Sequence, residues 1–216
     1  HTGHEIFLGN NGTALRFLTA LVCLGRGKYI LTGGKRLCER PVGPLVGALQ
    51  EMGVEIVCRN NCPPVEVLAN GLKGGSITLS NIESSQYVSA LLLCGPYTAK
   101  GISLTLEGHI VSSPYIDLTI RVMQDFGANI IQTGKHQYIV GTQHIYEGCD
   151  YDVEGDASSA SYFFWPPLIH LSIASLSNRQ TLPILIAGIF PSRRRLLEEP
   201  FPAVLRVWAF TVCISK

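Results

Sequence analysis

Hydroxyl and amide side chains precede apolar stretches at two points of the chain, and this chemistry suits an anion. Ser84, Ser85 and Gln86 stand before one stretch, and Ser112 begins the segment that leads through Tyr115 into the other. A helix start carries free backbone N–H groups and the positive end of the helix dipole. The hydroxyl and amide groups can therefore converge there on a phosphate or carboxylate. The simpler interpretation of each serine is a helix N-cap, and the residues alone leave both interpretations open.

Two further residues fit the same chemistry. Gly12 lies in a polar turn, where a residue without a side chain lets a ligand approach the backbone. Arg40 directly precedes Pro41, and its planar guanidinium can hold a carboxylate or phosphate with two hydrogen bonds. A tight turn and a solvated arginine are the respective alternatives. Arg16 and Arg36 are further positively charged candidates.

Other chemistries find no support in the sequence. The seven cysteines form no CxxC pair, and the six histidines form no HxH or HExxH pattern, so we expect no metal site. A net charge of +1 argues against nucleic acid as a partner. No apolar run reaches the roughly 20 residues of a membrane helix, so we expect no membrane partner. The first residues lack the apolar segment of a signal peptide, and with reduced cysteines this predicts a cytoplasmic protein.

The elements that position these residues follow from a repeat. The segment Gln50–Gly53 recurs as Gln124–Gly127, 74 residues later, and each copy contains polar turns at similar spacing. A period of this length is one supersecondary unit used more than once. The hydrophobic pattern predicts the unit β-α-β-α-β-β, used twice, in an α/β fold with mixed sheets (α+β). Pro41 is expected at the first position of one helix. Gly53 is expected to end that helix and Gly127 to end its counterpart in the second copy. A third copy begins near Asp156 and breaks at Pro166 and Pro167, because proline interrupts a helix.

Five motifs then resemble one known family, in order and in register, from about residue 6 to residue 164. They are Leu8–Arg16, Leu31–Leu45, Ser84–Tyr87, Ser112–Asp117 and Val153–Tyr162. The first is similar to LGNAGTAxR, the second to LTG…ERPIGPL, the third to SSQ, the fourth to SxPYID and the fifth to VEGDASSASY. All belong to the 3-phosphoshikimate 1-carboxyvinyltransferase (EPSP synthase) family.

The resemblance implies an activity and roles for individual residues. The family transfers the enolpyruvyl group of phosphoenolpyruvate to shikimate 3-phosphate by addition and elimination, without metal or organic cofactor, and its members are expected to be monomers when full length. By the family pattern, the shikimate phosphate would be held by Ser84, Ser85 and Ser112. Gln86 and Tyr115 would also face the substrates. Phosphoenolpyruvate would contact Gly12 and Arg40, the latter through its carboxylate.

The sequence departs from the family pattern in two ways. Asn11 stands where the family commonly has Ala, and Phe17 where many members have Pro. The family's Lys-Ser-x-x-x-Arg segment and its second domain are not found, so we expect a partial chain that is inactive alone. Residues 1–164 are expected to be part of the shikimate-3-phosphate-binding domain. Residues 165–216 are expected to be an aberrant tail, and we hypothesise a shifted reading frame.

Two alternative functions remain open. The first is a catalytically dead fragment that only binds phosphorylated ligands. The second is UDP-N-acetylglucosamine 1-carboxyvinyltransferase, against which the segments at Ser84–Tyr87 and Ser112–Asp117 argue. No catalytic residue is assigned from the sequence.

Overall fold

The computed structural model describes residues 3–142 and 146–153, and within it one order of six elements occurs twice. The first set is β1 (His4–Phe7), α1 (Gly12–Val22), β2 (Arg26–Thr32), α2 (Gly43–Glu51), β3 (Glu55–Arg59) and β4 (Cys62–Asn70). The second set is β5 (Gly75–Ile82), α3 (Ser85–Cys94), β6 (Ile102–Ile110), α4 (Ser113–Asp125), β7 (Ile130–Gly134) and β8 (Gln137–Val140), with a short 3-10 turn at Gly95–Tyr97. The predicted α/β class is confirmed.

Each set forms one four-stranded mixed sheet. The strand orders are β1-β2-β4-β3 and β5-β6-β8-β7. In each sheet the first two strands are parallel and the other pairs are antiparallel. Parallel strands need a crossover, and α1 and α3 provide it. Because α1 and α3 follow the first strand of a parallel pair and α2 and α4 follow the second, their N-termini lie at the same edge of their sheet.

The helix ends of the two sets are closed by equivalent hydrogen bonds. The side-chain amide of Gln50 donates to the backbone oxygen of Ile56 at 2.7 Å, and that of Gln124 to Ile130 at 3.2 Å. Gly53 and Gly127 follow α2 and α4, and each has φ of +85°. This left-handed conformation favours glycine and ends a helix. The predicted helix stops at both glycines are confirmed.

Helix α3 occupies the centre of the core. It packs against α1 on one side and α4 on another, and nine of its ten residues are buried. A helix that is buried all round must satisfy its polar groups within the protein. Ser89 does so through a 2.8 Å hydrogen bond to Thr119 of α4, itself buried.

The start of α2 differs from the prediction. Pro41 is not its first residue: the helix begins at Gly43, with Pro44 in its first turn. The backbone N–H of Val42 donates to the oxygen of Asn61 at 2.7 Å, and the oxygen of Pro41 accepts from Tyr87. These long-range bonds hold residues 41 and 42 outside the helix.

Two predictions concern parts of the chain that lie outside the described residues. The third copy of the repeat and the boundary at 164/165 both fall within residues 154–216 and stay predictions. Residues 3–142 and 146–148 belong to one compact unit, and 149–153 to a second. No helix in the described part combines the length and apolarity that crossing a bilayer requires.

The equivalent glycines allow a matched test of the helix stops. Gly53→Ala and Gly127→Ala are each expected to lower the free energy of unfolding by about 1–2 kcal/mol, because alanine is strained at positive φ. Gly47→Ala is the control: Gly47 lies within α2, and nothing is within 4 Å of a Cβ added there. It should raise stability by about 0.5–1 kcal/mol. Urea unfolding measures all three, and equal effects of the three substitutions would contradict the assignment.

A buried thiol makes stability depend on alkaline pH. Cys23 is buried and donates to the oxygen of Thr19 at 3.0 Å. Burial raises the pKa of its thiol from 9.0 to about 12, against a lowering by a backbone hydrogen bond. The unfolded chain therefore loses this proton first as the pH rises. The contribution of this thiol to the free energy of unfolding is therefore complete below pH 9 and falls by about 1.4 kcal/mol per pH unit as the pH rises from 9 towards 12.

Cys23→Ser separates this thiol from the other groups that titrate in the same range. Serine keeps a donor for Thr19 and does not ionise there. Urea unfolding at pH 8, 9, 10 and 11 should give a shallower pH slope for the variant than for the natural chain. Parallel slopes would contradict the assignment.

Candidate anion-binding site

The guanidinium of Arg40 lies directly against the first residue of α1. Its Nη1 is 2.6 Å from the position that a Cβ on Gly12 would occupy. The residue before the helix, Asn11, caps it by accepting the N–H of Ala14 at 3.0 Å. A cation beside the positive end of a helix dipole creates a local environment that suits an anion. The structure thus brings Gly12 and Arg40 together, although they are 28 positions apart in the sequence.

Helix α3 begins with the predicted polar group. The hydroxyl of Ser84 accepts the backbone N–H of Gln86 at 3.3 Å, which confirms the N-cap interpretation for this serine. Ser84 and Gln86 are partly buried, whereas Ser85 is only 5% exposed. Ser85 therefore presents less surface to a ligand than its neighbours do.

Gln86 connects the two helix starts. Its side-chain Nε2 donates to the hydroxyl of Thr13 at 3.1 Å, and its Oε1 accepts from Nη1 of Arg16 at 2.6 Å. Both partners lie on α1, next to Gly12. The sequence indicates Arg16 as a positively charged candidate but gives no partner for it, and it gives no sign of Thr13. No spacing rule could have found these contacts, because 70 or more residues separate the partners.

Tyr87 fixes the backbone next to Arg40. Its hydroxyl donates to the oxygen of Pro41 at 2.8 Å, and the Cζ of Arg16 is 5.2 Å from its ring centroid. Burial raises the pKa of the phenol, although the charge and hydrogen bonding of Arg16 lower it, while Glu83 and Cys62 raise it. The hydroxyl therefore stays protonated at neutral pH and remains a donor. The resemblance includes Tyr87 only as the last residue of a motif.

The second predicted helix start follows β6, the strand that pairs with β5. Strands β5 and β6 are parallel with Ile82 opposite Ile110, so Ser84 and Ser112 each follow a paired position by two residues. Ser112 is exposed, has φ of +60° and makes no cap hydrogen bond. Ser112 stands at the N-cap position of α4, but its hydroxyl caps no backbone N–H group of the helix.

Tyr115, in the first turn of α4, has 42% of its surface exposed. Neither Tyr115 nor Ser112 has a side-chain hydrogen bond to Arg40 or Gln86 in the described part of the chain. The structure therefore brings Arg40 against Gly12 and bonds Gln86 to the next residue, Thr13, with Ser84 attached through its cap. It places Ser112 and Tyr115 at the adjacent helix start. Within residues 3–142 and 146–153, no three His, Cys, Asp or Glu side chains are grouped to hold a metal.

Known proteins resemble this chain over a range that includes the residues of the candidate site. Residues 2–174 match the family model described as EPSP synthase (3-phosphoshikimate 1-carboxyvinyltransferase). The 3-phosphoshikimate 1-carboxyvinyltransferase of Vibrio atlanticus (strain LGP32) is 45% identical over 162 residues, covering 74% of this chain and 38% of the relative. That of Shewanella sp. (strain W3-18-1) is 44% identical over 168 residues, covering 75% and 39%.

A solved structure agrees with the fold. The EPSP synthase from Acinetobacter baumannii superposes with a TM-score of 0.63 at 27% identity, over 76% of this chain and 36% of that one. The chain therefore spans less than two fifths of the length of these relatives.

Proposed function

The chain belongs to the EPSP synthase family, and from that premise we propose that it provides part of the substrate site for enolpyruvyl transfer from phosphoenolpyruvate to shikimate 3-phosphate. The observation that carries the proposal is the contact of Arg40 with Gly12 beside Gln86. This cluster lies inside the matched residues 2–174. It has the charge that two anionic substrates require.

The roles are those that the family resemblance implies, and the chemistry of each group fits them. Ser84, Ser85 and Ser112 hold the shikimate phosphate through hydroxyl and backbone donors at two neighbouring helix starts. Ser112 has the freest hydroxyl of the three, because it makes no cap hydrogen bond. Tyr115 faces the same ligand from the exposed first turn of α4.

Arg40 pairs with the carboxylate of phosphoenolpyruvate, because a planar guanidinium can donate two parallel hydrogen bonds to a carboxylate. Gly12 lets that ligand approach the start of α1, and Gln86 donates an N–H group from α3. These residues bind and orient the two substrates, which removes part of the entropic cost of their reaction. The proton transfers of addition and elimination are assigned to none of them.

We further propose that this chain binds its ligand without turnover when it is isolated. It spans 38% of the length of curated relatives. A site assembled by domain closure cannot exclude water with part of its walls missing. The competing function is a binding fragment for phosphorylated ligands in general. Cytoplasmic location, a monomeric full-length state and no nucleic-acid partner complete the proposal.

Calorimetry and a phosphate-release assay test this proposal together. We expect shikimate 3-phosphate to bind the purified chain with one site, and phosphate release with both substrates to stay at background. Ser112→Ala should weaken binding about tenfold, which corresponds to about 1.4 kcal/mol. Ser76→Ala, at an exposed position of β5, is the control and should change nothing.

Three outcomes separate the alternatives. Equal affinity for shikimate 3-phosphate and an unrelated sugar phosphate would favour the general binding fragment. Phosphate release above background would refute inactivity in isolation. No binding of shikimate 3-phosphate would refute the assigned site.

The contact between Gly12 and Arg40 gives a second test. A methyl group at Gly12 would lie 2.6 Å from Nη1 of Arg40, so the guanidinium must retreat by about an ångström to reach normal contact. Gly12→Ala should therefore weaken phosphoenolpyruvate binding about tenfold or more, measured with shikimate 3-phosphate at saturation. Affinity for shikimate 3-phosphate should stay within about twofold. Gly47→Ala is the matched control, and an unchanged phosphoenolpyruvate affinity in Gly12→Ala would remove Arg40 from its role.

A further inference from the structure

The side-chain amide of Gln86 has a fixed orientation because α1 holds both of its ends. Thr13 accepts from Nε2 at 3.1 Å, and Arg16 donates to Oε1 at 2.6 Å. An arginine side chain has donors and no acceptor, so only the oxygen of an amide can face it. The reversed amide would place an NH2 group against a guanidinium. Arg16 therefore determines which end of Gln86 is turned away from it.

Arg16 itself has little freedom to move. Its guanidinium carbon lies 5.2 Å from the centroid of the Tyr87 ring, and Tyr87 is buried and tied to Pro41. Its Nε is buried and has no hydrogen-bond partner among the described residues. Leaving a buried donor unpaired costs free energy. We infer from this cost that Arg16 has a function beyond packing against Tyr87.

One N–H of Gln86 remains for a ligand. The amide has two N–H donors, of which Thr13 accepts one, while the single oxygen faces Arg16. The second N–H has no protein partner in the described part of the chain. Gly12 directly precedes Thr13 and lies against Arg40, so the amide of Gln86 is bonded next to the positively charged start of α1.

We propose that Arg16 is a positioning residue that holds the amide of Gln86 so that it offers an N–H donor, and not its carbonyl, to an anionic ligand. The proposal rests on the proposed function, which has Gln86 facing the substrates. Arg16 would thus make Gln86 select a ligand with a hydrogen-bond acceptor, although Arg16 itself does not touch the ligand. Without Arg16 the amide can rotate, and its oxygen repels the anion in part of the population.

Arg16→Met tests the proposal with little risk to folding. Methionine keeps an apolar stem against the Tyr87 ring and removes the unpaired Nε together with the donor to Gln86. The first readout needs no ligand. The side-chain amide resonances of Gln86, assigned by their loss in Gln86→Ala, should move towards the values of a solvated glutamine in Arg16→Met. They should recover in part in Arg16→Lys, which restores a donor.

The second readout is a double-mutant cycle on phosphoenolpyruvate affinity, measured with shikimate 3-phosphate at saturation. Arg16→Met and Gln86→Ala should each weaken binding about tenfold, and the double variant should be no weaker than Gln86→Ala alone. A merely structural arginine would give additive losses. Arg121→Ala, an exposed arginine on α4, is the control and should bind as the natural chain does.

The two readouts keep the hypotheses apart. Failure of the natural chain to bind shikimate 3-phosphate would refute the proposed function, while the amide resonances would still test the positioning. Unchanged Gln86 resonances in Arg16→Met, or additive losses of affinity, would overturn the role of Arg16. If Arg16→Met does not fold, Arg16→Leu, which also lacks a donor, is judged by the same resonances, and unchanged values would overturn the role of Arg16 equally.

Discussion

The burial of helix α3 is the constraint on which the rest of the structure depends. Nine of its ten residues are buried between α1 and α4. Water is therefore not available to satisfy its polar side chains, and the neighbouring elements must do so. Ser89 bonds to Thr119, Gln86 to α1, and Tyr87 to the backbone before α2. The same bonds that satisfy this helix also fix the candidate site, because its first residues lie there.

The two helix starts at Ser84 and Ser112 look alike in sequence but differ in backbone conformation and hydrogen bonding. At Ser84 the hydroxyl is engaged in a cap and the following residues are tied to the first sheet's helices. At Ser112 the backbone is left-handed and the hydroxyl makes no cap. One start is rigid and prearranged, and the other has an unengaged polar group exposed at the surface. A ligand that bridges them would meet fixed donors on one side and would order a donor on the other.

The sequence was sufficient where the determining contacts are local. Helix stops at Gly53 and Gly127 and the cap at Ser84 involve neighbours within a few positions. Pro41 was misplaced because its surroundings are set by Tyr87 and Asn61, both remote along the chain. The partners of Arg16 could not be predicted for the same reason, because they are about 70 positions away in the sequence. Five motifs in register identified the family, but the hydrogen bonds between them required coordinates.

The glutamine side chains that close α2 and α4 have a consequence for how this chain could diverge. Gln50 and Gln124 each bond to a backbone oxygen six residues later, so each copy of the unit carries its own closure. Duplicated units that are completed by local bonds can accumulate changes separately without losing their shape. Where one copy bonds to the other, as Gln86 does to Arg16, a substitution of either partner acts on both copies at once. A substitution at a helix closure acts on its own copy alone.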